Sequence, residues 1–440
     1  MRVVPQLTCR LRFWGADLRH GAPIARQLAE VKRAFSDPLY AGEVVQARLQ
    51  RLLRHACATT LHYRPRSGTT ALSEFPVLHK RLVQEHPADF LSSAFDPSAL
   101  LTVSTSGSYG APMRFRWVGD TYTRRRAELL YFGSWVGFRV GSSFAQVTVH
   151  PGGSARLREL NGFLIDPSVI DATWLEAGRR LLKERRIAFI VGYPSSIKPL
   201  ADYCCAMGDG PGALRVRAVV TSSEALRPEA REAITAAFGC TVVDRYGANE
   251  LGVLAQECPR GRSLHLNVAG HVIELLARDR DEPVAPGEVG RVVVTDLFSH
   301  AMPLIRYDTG DLAVASSEPC SCGRKGPTLV RVEGRQVEEV RDPDGGLVNP
   351  LAISGCPRGV EGILQYQFVQ QAPAGYLIRL QVLPSFHEEA VLRERFQRLL
   401  GPKAHIDVSY LESIPPLPSG KRPYIVNELK SRARSTQPPL

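Results

Sequence analysis

The stretch that decides the fold is Leu101-Thr102-Val103-Ser104-Thr105-Ser106-Gly107-Ser108-Tyr109-Gly110-Ala111-Pro112. Thr102, Ser104, Thr105, Ser106 and Ser108 crowd hydroxyls together, and Gly107 and Gly110 punctuate them. Such a loop offers hydroxyls and uncovered backbone N–H groups to an anion, with glycines free to take positive φ. A chain without a Walker lysine motif could hold a triphosphate this way. Taken alone, the stretch is equally compatible with a plain surface loop.

Working outward, Leu101 to Val103 reads as a short strand entering that loop. Before it, Ile24–Phe35 and Glu43–Cys57 have apolar residues at helical spacing. After it, a helix is expected from Asp120 to Gly133, a strand over Phe144–Val149 and a helix over Trp174–Glu184. Strands at Ile187–Val191, Val216–Thr221 and Thr241–Asp244 alternate with helices at Ile197–Met207 and Pro228–Phe238. This alternation predicts an α/β fold with a parallel, doubly wound sheet. The pattern then changes to antiparallel strands at His271–Leu276 and Gly290–Thr295, expected to form a small barrel-like part. The final hundred residues read as an α+β unit. A hairpin, Leu364–Gln371 with Tyr376–Val382, precedes the helix Glu388–Leu400 and the strand His405–Leu411.

At 440 residues the chain is long enough for two or three domains with sizeable cores. Hydrophobic content of 44% and charged content of 22% are ordinary for a globular protein. No apolar run reaches membrane-spanning length, and Met1 to Arg12 lacks the apolar core of a signal peptide. Nine cysteines, an odd number scattered over a long chain, favour reduced thiols and a cytoplasmic home. The net charge is +11, with basic clusters at Arg124 to Arg126, at Lys183, Arg185 and Arg186, and at Lys430, Arg432 and Arg434. They are scattered without interleaved aromatics, which argues against a nucleic-acid stripe and leaves a solvated basic surface or an anionic substrate.

Four further segments extend the opening loop. Asp244-Arg245-Tyr246-Gly247-Ala248-Asn249-Glu250 follows a strand, where Tyr246 could stack on a purine and Glu250 could reach Mg²⁺. In Arg306-Tyr307-Asp308-Thr309-Gly310-Asp311, Asp311 after a Gly turn could accept both hydroxyls of a ribose. Glu333-Gly334-Arg335 opens the last unit, and Pro416-Leu417-Pro418-Ser419-Gly420-Lys421 presents a lysine on a stiff loop.

In this order the segments resemble the adenylate-forming superfamily of acyl-CoA synthetases, adenylation domains and luciferases. The five motifs span Thr102 to Lys421, about three-quarters of the chain. Finer features resemble its phenylacetate-CoA ligase branch. Thr221-Ser222-Ser223-Glu224 stands where that branch has a G-G-E adenine loop, and Cys320-Ser321-Cys322-Gly323-Arg324 matches its C-x-C-G-R segment. Asp342 to Gly346 is more similar to capsule-biosynthesis relatives. The resemblance implies a large domain over 1–333 that binds ATP and acid, and a mobile lid over 334–440.

The implied reaction has two steps, adenylation of a carboxylate by ATP and transfer to a thiol of coenzyme A or of a carrier-protein phosphopantetheine. Lys421 and Glu250 would be catalytic, with Glu250 also holding Mg²⁺. Thr105, Ser106, Gly107, Ser108, Gly110, Ser223, Glu224, Asp244, Tyr246, Asp311 and Arg335 would bind ATP. Tyr131, Trp135, His150, Tyr193 and Gly247, with Phe138, are candidates for the acid pocket. No counter-charge marks an amino-acid substrate, which favours an aromatic or otherwise hydrophobic acid. The expected partners are thus a small carboxylic acid and a thiol carrier, without nucleic acid or membrane; a homodimer is allowed.

Three departures from the family pattern stand out. Tyr109 replaces the loop threonine, Asn249 replaces the threonine beside Glu250, and Gln336-Val337-Glu338-Glu339 replaces the aspartate pair at the hinge. The altered hinge keeps open an amine acceptor, or a nucleotide-binding relative without catalysis. Cys258, His265, Cys320 and Cys322 are compatible with a structural zinc, as in some members of the branch, or with free thiols beside a surface histidine. Cys204-Cys205 reads as helix packing.

Overall fold

The computed structural model describes residues 6–104, 113–149, 157–158, 160–333, 339–414 and 424–429. Helices α1 (Gln6–Arg19), α2 (Pro23–Ser36), α3 (Pro38–Thr59) and α4 (Lys80–Glu85) lead the chain. Asp37 stops α2 and caps α3, accepting a hydrogen bond from the Tyr40 N–H at 3.1 Å. Apolar spacing does not reveal α1, because its only buried residues are Cys9 and Asp17.

Strands β1 (Leu101–Ser104) and β2 (Arg114–Trp117) pair antiparallel, closing at Ser104 against Arg114, so the hydroxyl run joins two paired strands. Helix α5 (Gly119–Ser134) follows, then β3 (Phe144–Val147), β4 (Gly162–Ile165), β5 (Val169–Ile170) and α6 (Ala172–Glu184). The alternation continues with β6 (Phe189–Gly192), α7 (Pro194–Ala206), β7 (Ala218–Ser222), α8 (Pro228–Phe238) and β8 (Thr241–Ala248). β4, β3, β6, β7 and β8 lie side by side and parallel. Helices cover both faces. Ile190 and Val219 pack with Ile197 and Leu200 of α7 and Ile234 of α8. Phe189, whose side chain takes the other face, meets Phe138 after α5 at 5.4 Å. Each fully buried side chain of this kind contributes roughly 1.5–3 kcal/mol.

The antiparallel part is the other half of the same sheet rather than a separate small barrel. β9 (Gly252–Glu257), β10 (Leu264–Leu266), β11 (His271–Leu276), β12 (Val289–Asp296), β13 (Tyr307–Ala315) and β14 (Thr328–Glu333) continue it in the order β8-β9-β10-β14-β13-β12-β11. The junction is β8, which runs on to Ala248 instead of stopping at Asp244. Its second half pairs antiparallel with β9.

The last unit has its own sheet and core. After β15 (Val340–Arg341), β16 (Leu347–Val348) and α9 (Pro350–Gly355) come β17 (Ile363–Gln370), β18 (Gly375–Val382), α10 (Glu389–Leu400), β19 (His405–Tyr410) and β20 (Ile425–Asn427). The hairpin and helix stand where apolar patterning put them, with Phe368 stacked on Phe396 at 5.3 Å. β16 also pairs with β5.

The Arg124–Arg126 run is not a solvated basic patch. Arg124 and Glu128 are fully buried and Arg125 nearly so. Arg124 bonds Glu128 at 2.9 Å and Glu30 at 2.6 Å, while Arg125 pairs with Glu128 and Asp296. Buried ions are tolerated only when paired and hydrogen-bonded, which is what α5 arranges here.

Candidate active site

Ligands of open α/β sheets bind beyond the carboxyl ends of the strands. At that edge the Tyr246 hydroxyl donates to Asp311 at 3.0 Å and lies 3.3 Å from the Thr309 hydroxyl. Gly247 must be glycine, because a Cβ there would come within 2.4 Å of the Gly252 carbonyl oxygen. In the turn after β8, Asn249 donates to the Ser104 carbonyl at 3.1 Å, tying the turn to the entrance of the hydroxyl run. The neighbouring Glu250 is buried and accepts from the Tyr307 hydroxyl at 3.2 Å. Three segments far apart in the chain therefore meet at one place.

The T-G-D segment is a bulge inside β13 rather than a Gly turn. The β12–β13 register shifts there, and Gly310 takes φ +75°. The Gly310 N–H donates to Asp308 at 2.8 Å and the Asp311 N–H to Thr309 at 3.2 Å, fixing the direction of Asp311.

At the ends of β6 and β7, Tyr193 is buried with its hydroxyl 2.6 Å from that of Thr148. Glu224 accepts from the Ser195 N–H at 3.1 Å and the Ser195 hydroxyl at 2.9 Å. Both its oxygens are occupied at the start of α7, a favourable place for a carboxylate and not a free adenine contact. Ser223 is exposed at φ +70°, where the family motif has glycine. Asp244 accepts from Thr221 at 2.8 Å. Burial, reinforced by the nearby Glu257, pushes its pKa up to about 6.

Strand pairing sets Ser222, Arg245, Gln256 and His265 in one row across β7, β8, β9 and β10. Side chains in a row share a face. The end of α5 roofs this one, since Gln256 donates to the Phe132 carbonyl at 2.8 Å and Trp135 meets His265 at 5.5 Å. Tyr193 follows Gly192, which pairs with Thr221, so it stands level with Ser222. Sequence reasoning gave Arg245 no role of its own within its motif. Burial pushes its pKa down to about 10, and its guanidinium donates to the Gln256 amide oxygen at 2.8 Å. The signal that could have found it is a cation shortly after the buried pair Val242 and Val243.

Tyr131 sits further off, in an aromatic cluster with Phe35, Phe132 and Trp135, and Phe138 packs on Phe144 and Phe189. Both are core aromatics. Thr105, Ser106, Gly107, Ser108, Tyr109, Gly110, His150, Arg335 and Lys421 lie outside the described residues.

Cys258, His265, Cys320 and Cys322 come together, with their ligating atoms all within 4.8 Å of one another. His265 Nε2 is 3.3 Å from the Cys322 sulfur. Burial, with Arg324 nearby, pushes the imidazole pKa down to about 4, leaving it neutral as a metal ligand must be. Gly261 makes room, because a Cβ there would sit 2.4 Å from the Cys320 sulfur. Three thiols and an imidazole in this space suit zinc.

The CapK C-terminal domain family matches residues 340–428. Protein CapK of Staphylococcus aureus is 24% identical over 345 residues, 75% of each chain. A phenylacetate-coenzyme A ligase of Thermus thermophilus is 32% identical over 161 residues, 35% of this chain and 36% of that enzyme. The chain is thus similar to Protein CapK over most of its length and to phenylacetate-coenzyme A ligases over about a third of it. A solved structure of 2-hydroxyisobutyryl-CoA ligase in complex with 2-HIB-AMP and CoA aligns with a TM-score of 0.63 at 20% identity, a likeness of fold. The alignment covers 92% of this chain and 94% of that one. In this chain Tyr246 is hydrogen-bonded to Asp311, and Glu250 to Tyr307. Among the described residues no helix is long and apolar enough to cross a membrane.

Proposed function

We propose that this chain is an ATP-dependent, AMP-forming ligase that activates a carboxylic acid, with an aromatic skeleton preferred, and passes it to a thiol. The observation that carries the reading is the convergence of Tyr246, Glu250 and Asp311 beside the Ser104 entrance of the hydroxyl run. A carboxylate oxygen attacks the α-phosphorus of ATP, the bond to pyrophosphate breaks, and an acyl-adenylate forms. The thiol of coenzyme A or of a carrier phosphopantetheine then attacks the acyl carbon, losing its proton and expelling AMP. Tyr246 offers a ring face for adenine and Asp311 an acceptor for ribose hydroxyls. Thr105 to Gly110 would cradle the phosphates, Lys421 would bridge carboxylate and phosphate, and Arg335 would meet the nucleotide. Negative charge builds on phosphate oxygens, so positioned cations and N–H donors are the main catalytic contribution.

Glu250 fits Mg²⁺, being a buried carboxylate to which, among the described residues, Tyr307 donates from one side. Bound there, the ion would neutralise phosphate charge. In the Cys258–His265–Cys320–Cys322 cluster, zinc would tie the loop after β9 to the segment before β14. The large unit is taken as 1–333 and the lid as 334–440.

The test is product analysis with labelled ATP over a panel of acids, with and without coenzyme A. AMP and pyrophosphate release that needs an acid, and thioester release that needs the thiol, are expected. Glu250→Gln should lower the first step by about 10²–10³ while circular dichroism stays unchanged. ATP turnover indifferent to every acid would overturn the reading.

A further inference from the structure

We propose that the acid taken by this site carries a second anionic group, a carboxylate at the end away from the reaction, and that Arg245 receives it. This rests on the acid-activating reading above. Several buried or half-buried guanidinium groups among the described residues have carboxylates against them. Arg124 and Arg125 have Glu128, Glu30 and Asp296, Arg231 has Glu257, and Arg306 has Glu274. Arg245 is different. Among the described residues its guanidinium has one hydrogen-bond partner, the neutral amide oxygen of Gln256 at 2.8 Å.

Arg245 is half-buried, and a guanidinium in that position with no carboxylate against it is one for which a ligand carboxylate would supply the counter-charge. A guanidinium has five N–H donors in a planar fork, and one is used here. The remaining fork matches a carboxylate bidentately. The location agrees. Arg245 stands in the row between Tyr193 and Gln256, under the end of α5, at the carboxyl edge of the parallel strands. It leaves β8 on the face opposite Tyr246, its chain neighbour, which contacts Asp311. The reacting carboxylate belongs with the nucleotide near Tyr246 and Glu250, so Arg245 reads the other end of the acid. Burial lowers the Arg245 pKa to about 10, still charged at neutral pH.

The experiment compares matched acids by ATP–pyrophosphate exchange, namely benzoate with isophthalate, phenylacetate with its ring-carboxylated form, and hexanoate with adipate. Wild type should favour the diacid of a pair by about 10²-fold or more in kcat/KM, because a site built for a polar group rejects the analogue lacking it. Arg245→Met should erase that ratio without lowering the melting temperature, since it removes a half-buried charge that no carboxylate among the described residues pairs. Arg245→Lys should keep part of the ratio. Equal use of both members of every pair by wild type, or an unchanged ratio in Arg245→Met, overturns the inference while leaving acid activation standing. Acid-independent behaviour throughout overturns the ligase reading instead. Calorimetric binding of the diacids without ATP then judges Arg245 alone: binding lost in Arg245→Met supports the pocket, and binding equal in both proteins refutes it.

Discussion

Asp244, Arg245 and Tyr246 are consecutive, yet they do three different things because a strand sends neighbours to opposite faces. Asp244 sits against Thr221 and near Glu257, with its pKa raised to about 6 from the ordinary 3.8. Below about pH 3 the carboxyl is mostly protonated whether folded or not, so it makes little difference to stability there. Between about pH 4 and 6 the unfolded chain releases the proton first, and the wild type loses stability as pH rises. Each tenfold weakening of acidity on folding costs about 1.4 kcal/mol once the group is ionised. Asp244→Asn should therefore match wild type near pH 3 and exceed it by about 1–3 kcal/mol at pH 7. Urea unfolding across that range checks it, and a gap constant with pH refutes it. The sequence disclosed Tyr246, Glu250 and Asp311 because they sit in fixed motifs. It did not disclose that Arg245 lacks a carboxylate or that Glu224 is taken by Ser195, because both depend on residues distant in the chain.

The helices α2, α3, α5, α6, α7 and α8 and the strands β3, β6 and β7 were legible because one period of apolar residues dominates each. The second half of β8 was not, because Arg245, Tyr246, Gly247 and Ala248 show no apolar alternation, and antiparallel pairing with β9 makes the strand. β13 was hidden by the Gly310 bulge. α5 is legible as a helix, but its arginines read as surface residues, since local sequence cannot show that Asp296 and Glu30 arrive to pair with them. Breaking such a buried network leaves an unpaired charge. Glu128→Ala should cost about 3–5 kcal/mol in denaturant unfolding, well beyond a surface substitution. A loss under about 1 kcal/mol would show that the network is not structural.

The order of motifs along the chain carries the resemblance to the superfamily, and the alternation of elements the α/β class; that both halves form one continuous sheet emerged only from strand pairing. The Cys258–His265–Cys320–Cys322 cluster likewise joins strand β10 to the loop before it and to the segment between β13 and β14. Purified protein should contain about one zinc per chain and lose thermal stability on chelation, whereas less than about 0.2 zinc per chain would contradict a zinc site. The central claim is acid adenylation with a lysine from the last unit completing the site. Its most direct test is acid-dependent ATP–pyrophosphate exchange in wild type and Lys421→Ala. The account predicts exchange in wild type and a fall of about 10²–10³ in the variant, with ATP binding and folding retained. Exchange at the wild-type rate in Lys421→Ala would contradict it.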